Sequence, residues 1–492
     1  MCYARRLAAL GFALATASSC AVPRAPVPLD RHLDEGRPNF LLVLLDDQRF
    51  DAMSNMGHPW LETPHIDRLA AEGARFEHAF VTTSLCSPSR ASFLTGRHVH
   101  SHGVTRNESG NLSHEVVTYP KLLRQAGYQT AWLGKWHMGW VTKPQPGFDY
   151  WLSFPGHGTY TDPDLIEGTR QYRAQGYLTD LLVDHAIGWL EEWSRTGADQ
   201  PFCLVLSHKA VHAPFEPAPR HAGRYANKTL PQPKSFTDDL SAKPEVLRRM
   251  VRYGQLTEDY EAHQDEPVPP TLPSREWNPR SRPWLAYHEA LLAVDEGLGR
   301  ILAVLEELGV SDDTMIIYTS DNGFLMGAHG LGDKRLAYEE SMRIPFLVRY
   351  PRAVKAGERI DPMILNIDLA PTLLDYAGAE IPEGMQGRSL RPLLEGRPPD
   401  DWRSHFFYAY YRENWVKGIP TTLAVRTERW KYIVYPEVAA ANEELYDLRE
   451  DPIEMNNLAE EAELVEELAA MRELLEESKV RTHWAMPELG SP

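Results

Sequence analysis

The run Asn39-Phe40-Leu41-Leu42-Val43-Leu44-Leu45 is apolar from Phe40 onward and stops at Asp46-Asp47. A strand without polar alternation is one covered on both faces, as in a parallel sheet, and its carboxylates emerge at the carboxyl end. Runs of the same kind occur at 130–133, 202–206 and 314–319. Between them lie apolar residues at helical spacing, at 177–193 and 285–308, and Thr63-Pro64 opens a further helix with threonine as N-cap and proline in the first turn. Strands alternating with helices predict an α/β fold built on a large, mostly parallel sheet. Ligands of such sheets sit beyond the carboxyl ends of the strands. Each of the four strands is followed at once by polar groups: Asp46-Asp47, Lys135 with His137, Ser207-His208, and Ser320-Asp321-Asn322. Four strand ends thus feed one crevice.

Residues 215–283 are rich in proline and charge and read as a long excursion over the sheet. The pattern changes after Leu394: Thr421, Leu423 and Val425 alternate, and Trp430-Lys431-Tyr432-Ile433-Val434-Tyr435 follows, predicting an antiparallel hairpin in a smaller C-terminal unit. The chain divides on this reading into a main domain at 38–394 and a C-terminal subdomain at 395–492. Residues 458–477 carry leucines at helical spacing among acidic residues, a helix with a solvated face.

The first 20 residues read as an export signal: Arg5-Arg6, an apolar stretch at 7–15, then Ala17-Ser18-Ser19-Cys20. The stretch is too short to span a bilayer, and a proline-rich tether at 21–37 follows it. Two processing routes stay open, cleavage after Ala15-Thr16-Ala17 or a lipid anchor on Cys20. The expected location is periplasmic, cell-surface or secreted. Of four cysteines only Cys86 and Cys203 then belong to the folded body, and Cys203, inside an apolar strand, is a core residue. The net charge of −18 excludes a general nucleic-acid binder. An anionic substrate therefore needs a local basic pocket against the overall field.

Asp46, Asp47, Asp321 and Asn322 supply hard oxygen donors, which suit calcium or magnesium rather than zinc. Lys135, His137, Lys334 and the histidines of Ser207-His208-Lys209-Ala210-Val211-His212 are candidates for a cationic pocket around Cys86-Ser87-Pro88-Ser89-Arg90.

Cys86, Pro88, Arg90, Thr95, Gly96 and Arg97 match the signature at which type I sulfatases convert cysteine to formylglycine, an aldehyde that hydrates to a diol. The resemblance runs in order from Pro38-Asn39 through Gly134-Lys135-Trp136-His137, Val211-His212-Ala213-Pro214, Ser320-Asp321-Asn322-Gly323 and Asp333-Lys334-Arg335, spanning about 38 to 460. It implies an alkaline phosphatase-like fold, a large sheet sandwiched by helices plus a small antiparallel C-terminal sheet. It implies that an external maturing enzyme converts Cys86, with Pro88 and Arg90 as recognition elements. Asp46, Asp47, Asp321 and Asn322 would hold one calcium ion, which also binds the formylglycine at Cys86. Arg90, Lys135, His137, His212 and Lys334 would surround the diol and the sulfate. One diol hydroxyl attacks sulfur, with His212 or Lys334 protonating the leaving oxygen; His137 is a candidate base for expelling sulfate from the other.

Within the family, Asp333-Lys334-Arg335, Tyr338-Glu339, Leu347-Val348-Arg349 and Tyr177-Leu178-Thr179-Asp180 look similar to N-acetylglucosamine-6-sulfatases and related polysaccharide sulfatases. A sulfated saccharide is the expected substrate, with Trp140, Tyr150, Trp151 and Tyr160 as aromatics for sugar faces. The alternatives are a phosphonate monoester or phosphodiester hydrolase, and a binder of sulfated glycans without catalysis.

Overall fold

The computed structural model describes residues 37–486 except 255–261, 264–265, 274, 417 and 439–442. The expected signal, the tether and Cys20 lie outside the described residues. In chain order the strands are β1 Asn39–Leu45, β2 Ala74–Phe76, β3 Ala79–Phe80, β4 Gln129–Gly134, β5 Tyr150–Ser153, β6 Asp164–Glu167, β7 Arg170–Arg173, β8 Phe202–Ser207, β9 Thr314–Ser320, β10 Phe346–Arg349, β11 Glu358–Ile360, β12 Ile364–Leu365, β13 His405–Tyr410, β14 Thr422–Thr427, β15 Trp430–Val434 and β16 Glu443–Asp447.

A ten-stranded sheet has the order β11-β2-β10-β9-β1-β8-β4-β5-β6-β7. Its centre is parallel, β1 pairing with β8 and β9, and β4 with β8 and β5. Strand β10 runs antiparallel to β9 and β2, and β6 and β7 close the other edge antiparallel. The apolar runs predicted the central strands; the edge strands are short and partly polar and carry little pattern. Along β1 the side chains divide by the two-residue period of a strand. Leu41, Val43 and Leu45 pack with the helices Leu178–Thr196 and Arg282–Glu307 on one face, while Phe40, Leu42 and Leu44 pack with Leu369–Tyr376 and part of Cys86–Thr95 on the other. Both faces being covered explains the missing alternation.

The helix Pro64–Glu72 does start at proline, but the Thr63 hydroxyl makes no capping bond. The Asp295 carboxylate, from the helix Arg282–Glu307, accepts the N–H groups of His65 and Ile66 at 3.0 and 2.8 Å. Tertiary contact thus supplies the cap that the local sequence predicted in threonine.

The second sheet is antiparallel in the order β13-β14-β15-β16. Phe406, Tyr408, Tyr410 and Ile433 face the main domain; Phe407, Leu423, Val425 and Leu445 face away from it. Leu468, Met471 and Leu475 of the helix Val465–Arg481 cover that outer face. The leucine stripe expected at 458–477 is therefore a packing face, the helix starts later than predicted, and its glutamates remain solvated. The excursion at 215–283 contains an unforeseen helix, Glu245–Tyr253, and its Leu240, Val268 and Leu272 bury one another. Cys203 lies in the core of β8, and neither it nor Cys86 is in a disulfide. No helix among the described residues is long and apolar enough to cross a membrane.

Packing has also buried several imidazoles. Burial holds His98, His102, His208 and His288 down at about 3, against 6.5 for a free side chain. Their folded pKa values lie below the unfolded ones, so the stability they contribute is whole above the unfolded value and is lost as pH falls toward the folded one. Asp295, Asp321 and Glu454, raised by burial to about 6, about 7 and about 7, act in the opposite sense but are fewer. The melting temperature is expected to drop steadily between about pH 6.5 and pH 4. Scanning calorimetry across that range checks this, and a flat profile would contradict it.

Candidate active site

Asp46 and Asp47 follow directly on β1, where strand geometry would send them to opposite faces. The chain instead turns at Asp47, whose φ is 64°. Both carboxylates thereby join Asp321 from the end of β9, and one oxygen from each of the three lies within 4.8 Å of the others. All three residues are buried. Asn322 is beside them: its Nδ2 donates to Asp47 Oδ1 at 2.7 Å, and its Oδ1 is buried with no hydrogen-bond partner. Three carboxylates and an unsatisfied amide oxygen fit a hard divalent cation.

Cys86 opens the helix Cys86–Thr95, all ten residues of which are buried. Pro88 falls in the first turn, where its missing N–H costs nothing. Ser87 N–H donates to Asn107 Oδ1 at 3.1 Å, and the Ser87 hydroxyl donates to the His137 carbonyl at 2.5 Å. The Cys86 thiol stands 3.5 Å from Asp46 Oδ1, and burial pushes its pKa up to about 12. An unmodified Cys86 is therefore a neutral thiol at physiological pH. Gly96 ends the helix at φ 64°, and a Cβ there would meet Ala370 and the Ile367 carbonyl at 3.3 Å. Thr95 bonds back to the Ala91 carbonyl at 2.7 Å, so the second half of the motif shapes the helix end rather than the pocket.

Positive charge enters from three elements. Arg90, one turn along the same helix, donates through Nε to Asp321 Oδ2 at 2.8 Å and through Nη1 to Ser207 Oγ at 2.6 Å, while its Nη2 is buried and unpaired. Lys135, just beyond β4, pairs with Asp46. Lys334 spans both Asp47 oxygens at 2.5 and 2.6 Å. Burial works against the Asp46 charge, but Lys135, Arg90 and Lys334 together hold its carboxyl well below the usual range. Asp321 goes the other way, raised to about 7 by burial and then by the charge of Asp46. Lys334 is held cationic chiefly by Asp47, despite burial.

His137 reaches the pocket through a turn with φ 61°, not through continued strand geometry, and its Nδ1 lies 3.2 Å from Ser87 Oγ. His212 Nε2 stands 3.7 Å from Asp47 Oδ2, and its Nδ1 bonds the Ala213 carbonyl at 2.6 Å. Burial keeps both imidazoles neutral, His212 at about 4. All of the residues predicted for the site thus converge. His208, also buried, does not take part in these contacts. His157 was not foreseen: its ring lies 4.0 Å from that of His137 and 4.6 Å from that of His212. It sits in Pro155-Gly156-His157-Gly158, a stretch with no strand or helix pattern to flag it. Of the aromatics proposed for sugars, Trp151 and Tyr160 are core residues, Tyr150 is half-buried and hydrogen-bonded to Glu167, and Trp140 is 75% exposed. A cavity of about 460 Å³ lined by residues that include Phe50, His58, Trp277, Trp284 and Arg343 shares none of the residues named for this pocket.

The family model described as Sulfatase matches residues 38–379. The chain belongs to the sulfatase family. A second model, N-sulphoglucosamine sulphohydrolase, C-terminal, matches residues 327–481 of this sulfatase. An N-acetylglucosamine-6-O-sulfatase of Bacteroides thetaiotaomicron is 36% identical over 517 aligned positions, covering 96% of this chain and 90% of its own. A solved structure of a protein in complex with its substrate D-glucosamine-2-N,6-O-disulfate superposes with a TM-score of 0.82 at 35% identity, covering 92% of this sulfatase and 100% of that chain. The phosphonate monoester hydrolase of Agrobacterium radiobacter, at 24% identity and a TM-score of 0.72 over 91% and 96% of the two chains, shares the fold alone. This sulfatase is a sulfuric ester hydrolase of the alkaline phosphatase superfamily. Phosphonate hydrolysis stands only as a distant alternative.

Proposed function

We propose that this sulfatase, exported from the cell, removes 6-O-sulfate from N-acetylglucosamine or a related glucosamine unit of sulfated glycans. The observation that carries the reading is the gathering of Arg90, Lys135 and Lys334 around three buried carboxylates and Cys86. Its kinship to an N-acetylglucosamine-6-O-sulfatase over nearly the whole chain supports the choice of sugar. Asp46, Asp47, Asp321 and Asn322 would hold a calcium ion, whose charge would draw electron density from a sulfate oxygen. Formylglycine made from Cys86 would supply, as its hydrate, one hydroxyl to attack sulfur and a second whose deprotonation releases sulfate.

The chain's own groups divide the remaining work. Arg90, with its free Nη2, and Lys135 hold the anion. Lys334 is cationic at rest and carries a proton for the leaving oxygen; His212, neutral at rest, takes a proton only once the anion has entered. His137, held neutral by burial and beside Ser87, accepts the proton of the second hydroxyl. Because the whole helix Cys86–Thr95 is buried, the maturing enzyme has to meet Cys86, Pro88 and Arg90 before that helix is packed. We place the boundary between the two sheet units near residue 395.

A panel of regiochemically defined sulfated saccharides, together with an aryl phosphonate, tests the reading. Release of sulfate from 6-sulfated glucosamines and little phosphonate turnover is expected. Failure on every 6-sulfated hexosamine would remove the sugar assignment, and faster phosphonate than sulfate cleavage would overturn the reaction.

A further inference from the structure

The residue that bridges the two pocket histidines has no role in the scheme above. The His157 ring lies against those of both His137 and His212, yet His157 itself is exposed, and neither of its ring nitrogens has a hydrogen-bond partner among the described residues. Its loop is tied down at both ends. Phe154 and Tyr160 are buried, and the Tyr160 hydroxyl donates to the His212 carbonyl at 2.7 Å. Between them Gly156 and Gly158 take positive φ, 55° and 64°, and Gly158 N–H closes a turn on the Pro155 carbonyl at 3.1 Å. His157 is thus presented by a tight turn on fixed supports, with unused donor and acceptor capacity.

The same turn carries the exposed tryptophan. A Cβ added at Gly156 would stand 3.4 Å from the Trp140 ring, so the indole rests on the backbone beside His157. An indole that is 75% exposed, next to an imidazole with free nitrogens at the mouth of a catalytic pocket, is the pairing that sugars select: an apolar face for the ring and hydrogen-bonding groups for its hydroxyls.

We propose that His157 and Trp140 form one wall of the sugar pocket, His157 hydrogen-bonding a hydroxyl of the hexosamine that carries the scissile sulfate and Trp140 stacking on its face. The inference rests on the saccharide reading given above. His157 is then a specificity-determining residue, in contact with the sugar and not with sulfur.

The test compares sulfate release by the matured enzyme from 6-sulfated N-acetylglucosamine and from a simple aryl sulfate, which has the same reacting group but no sugar hydroxyls. His157→Ala is expected to lower kcat/KM on the sugar about tenfold, the scale of one neutral hydrogen bond, mainly through KM, with a much smaller change on the aryl sulfate. His157→Gln, which keeps a donor and an acceptor, recovers part of the loss. Trp140→Ala raises KM for the sugar and Trp140→Phe restores it. Equal losses on both substrates for His157→Ala would mean that the ring only positions His137 and His212, and would overturn the proposal; so would unchanged sugar kinetics. If the unsubstituted enzyme cleaves the aryl sulfate but no sulfated saccharide, the saccharide reading itself falls and this inference with it. Since both side chains are exposed, folding of the variants is checked directly by their retained aryl sulfate turnover.

Discussion

Replacing Cys86 with alanine is expected to lower sulfate release about ten-thousandfold, the scale on which loss of an enzyme nucleophile acts. The argument begins with what the cysteine is not. Its thiol, buried and with a pKa pushed up to about 12, is neutral at physiological pH, and Asp46 Oδ1 at 3.5 Å disfavours a thiolate further. The encoded side chain is therefore a poor nucleophile in the pocket it occupies, whereas a neutral diol at the same place would accept hydrogen bonds from the surrounding cations and need no ionised resting state. Alanine keeps the helix, since it is the best helix former and removes only one atom. The loss should appear in kcat, with binding of inorganic sulfate little changed. Mass analysis of the Cys86 peptide from active enzyme should show the lighter aldehyde in place of the thiol. An alanine variant within about tenfold of the unsubstituted enzyme, or full activity with unmodified thiol, would remove Cys86 from the chemistry.

Stripping divalent metal with a chelator is expected to cost activity on the order of a thousandfold and to lower the melting temperature, both restored by calcium or magnesium and neither by zinc. Asp46, Asp47 and Asp321 bring three carboxylates into one buried cluster, and Arg90, Lys135 and Lys334 are drawn onto them. Cations committed to carboxylates are less available to a sulfate. A metal ion among the three acids would take over their neutralisation and leave the side chains for the substrate, so activity and stability should fall together when it is removed. The buried, unpartnered Oδ1 of Asn322 has the same meaning: a hard acceptor kept from water is costly unless something binds it. Melting curves with and without chelator, alongside turnover, decide the matter; a thermal midpoint and rate both indifferent to chelation would count against the site.

How much of this was legible in the chain depends on the range of the interaction concerned. The central strands were readable because burial on both faces imposes a continuous apolar run, visible at 39–45, 202–206 and 314–319. The edge strands β6 and β7 were not, because half-exposed short strands satisfy no strong pattern. The Thr63 cap was misread for a related reason: a local rule can name an acceptor for the free N–H groups of a helix start, but Asp295, more than two hundred residues away, was the better one.

By itself the sequence determined the chemistry on offer: the residue types at four strand ends, the cysteine motif and the order in which they occur. It determined too that a strongly acidic chain has to concentrate its cations locally to meet an anion. Tertiary structure alone decided where those groups point. Asp47 and His137 enter the pocket because the backbone turns at φ 64° and 61°, which no periodicity announces. Thr95 and Gly96, equal members of the motif on paper, turned out to finish a buried helix. His157 entered the site through contacts with His137 and His212, residues twenty and fifty-five positions away by simple subtraction of their numbers. Side-chain identity is a local property that the chain spells out, whereas proximity across loops follows from how the two layers of helices close over the sheet.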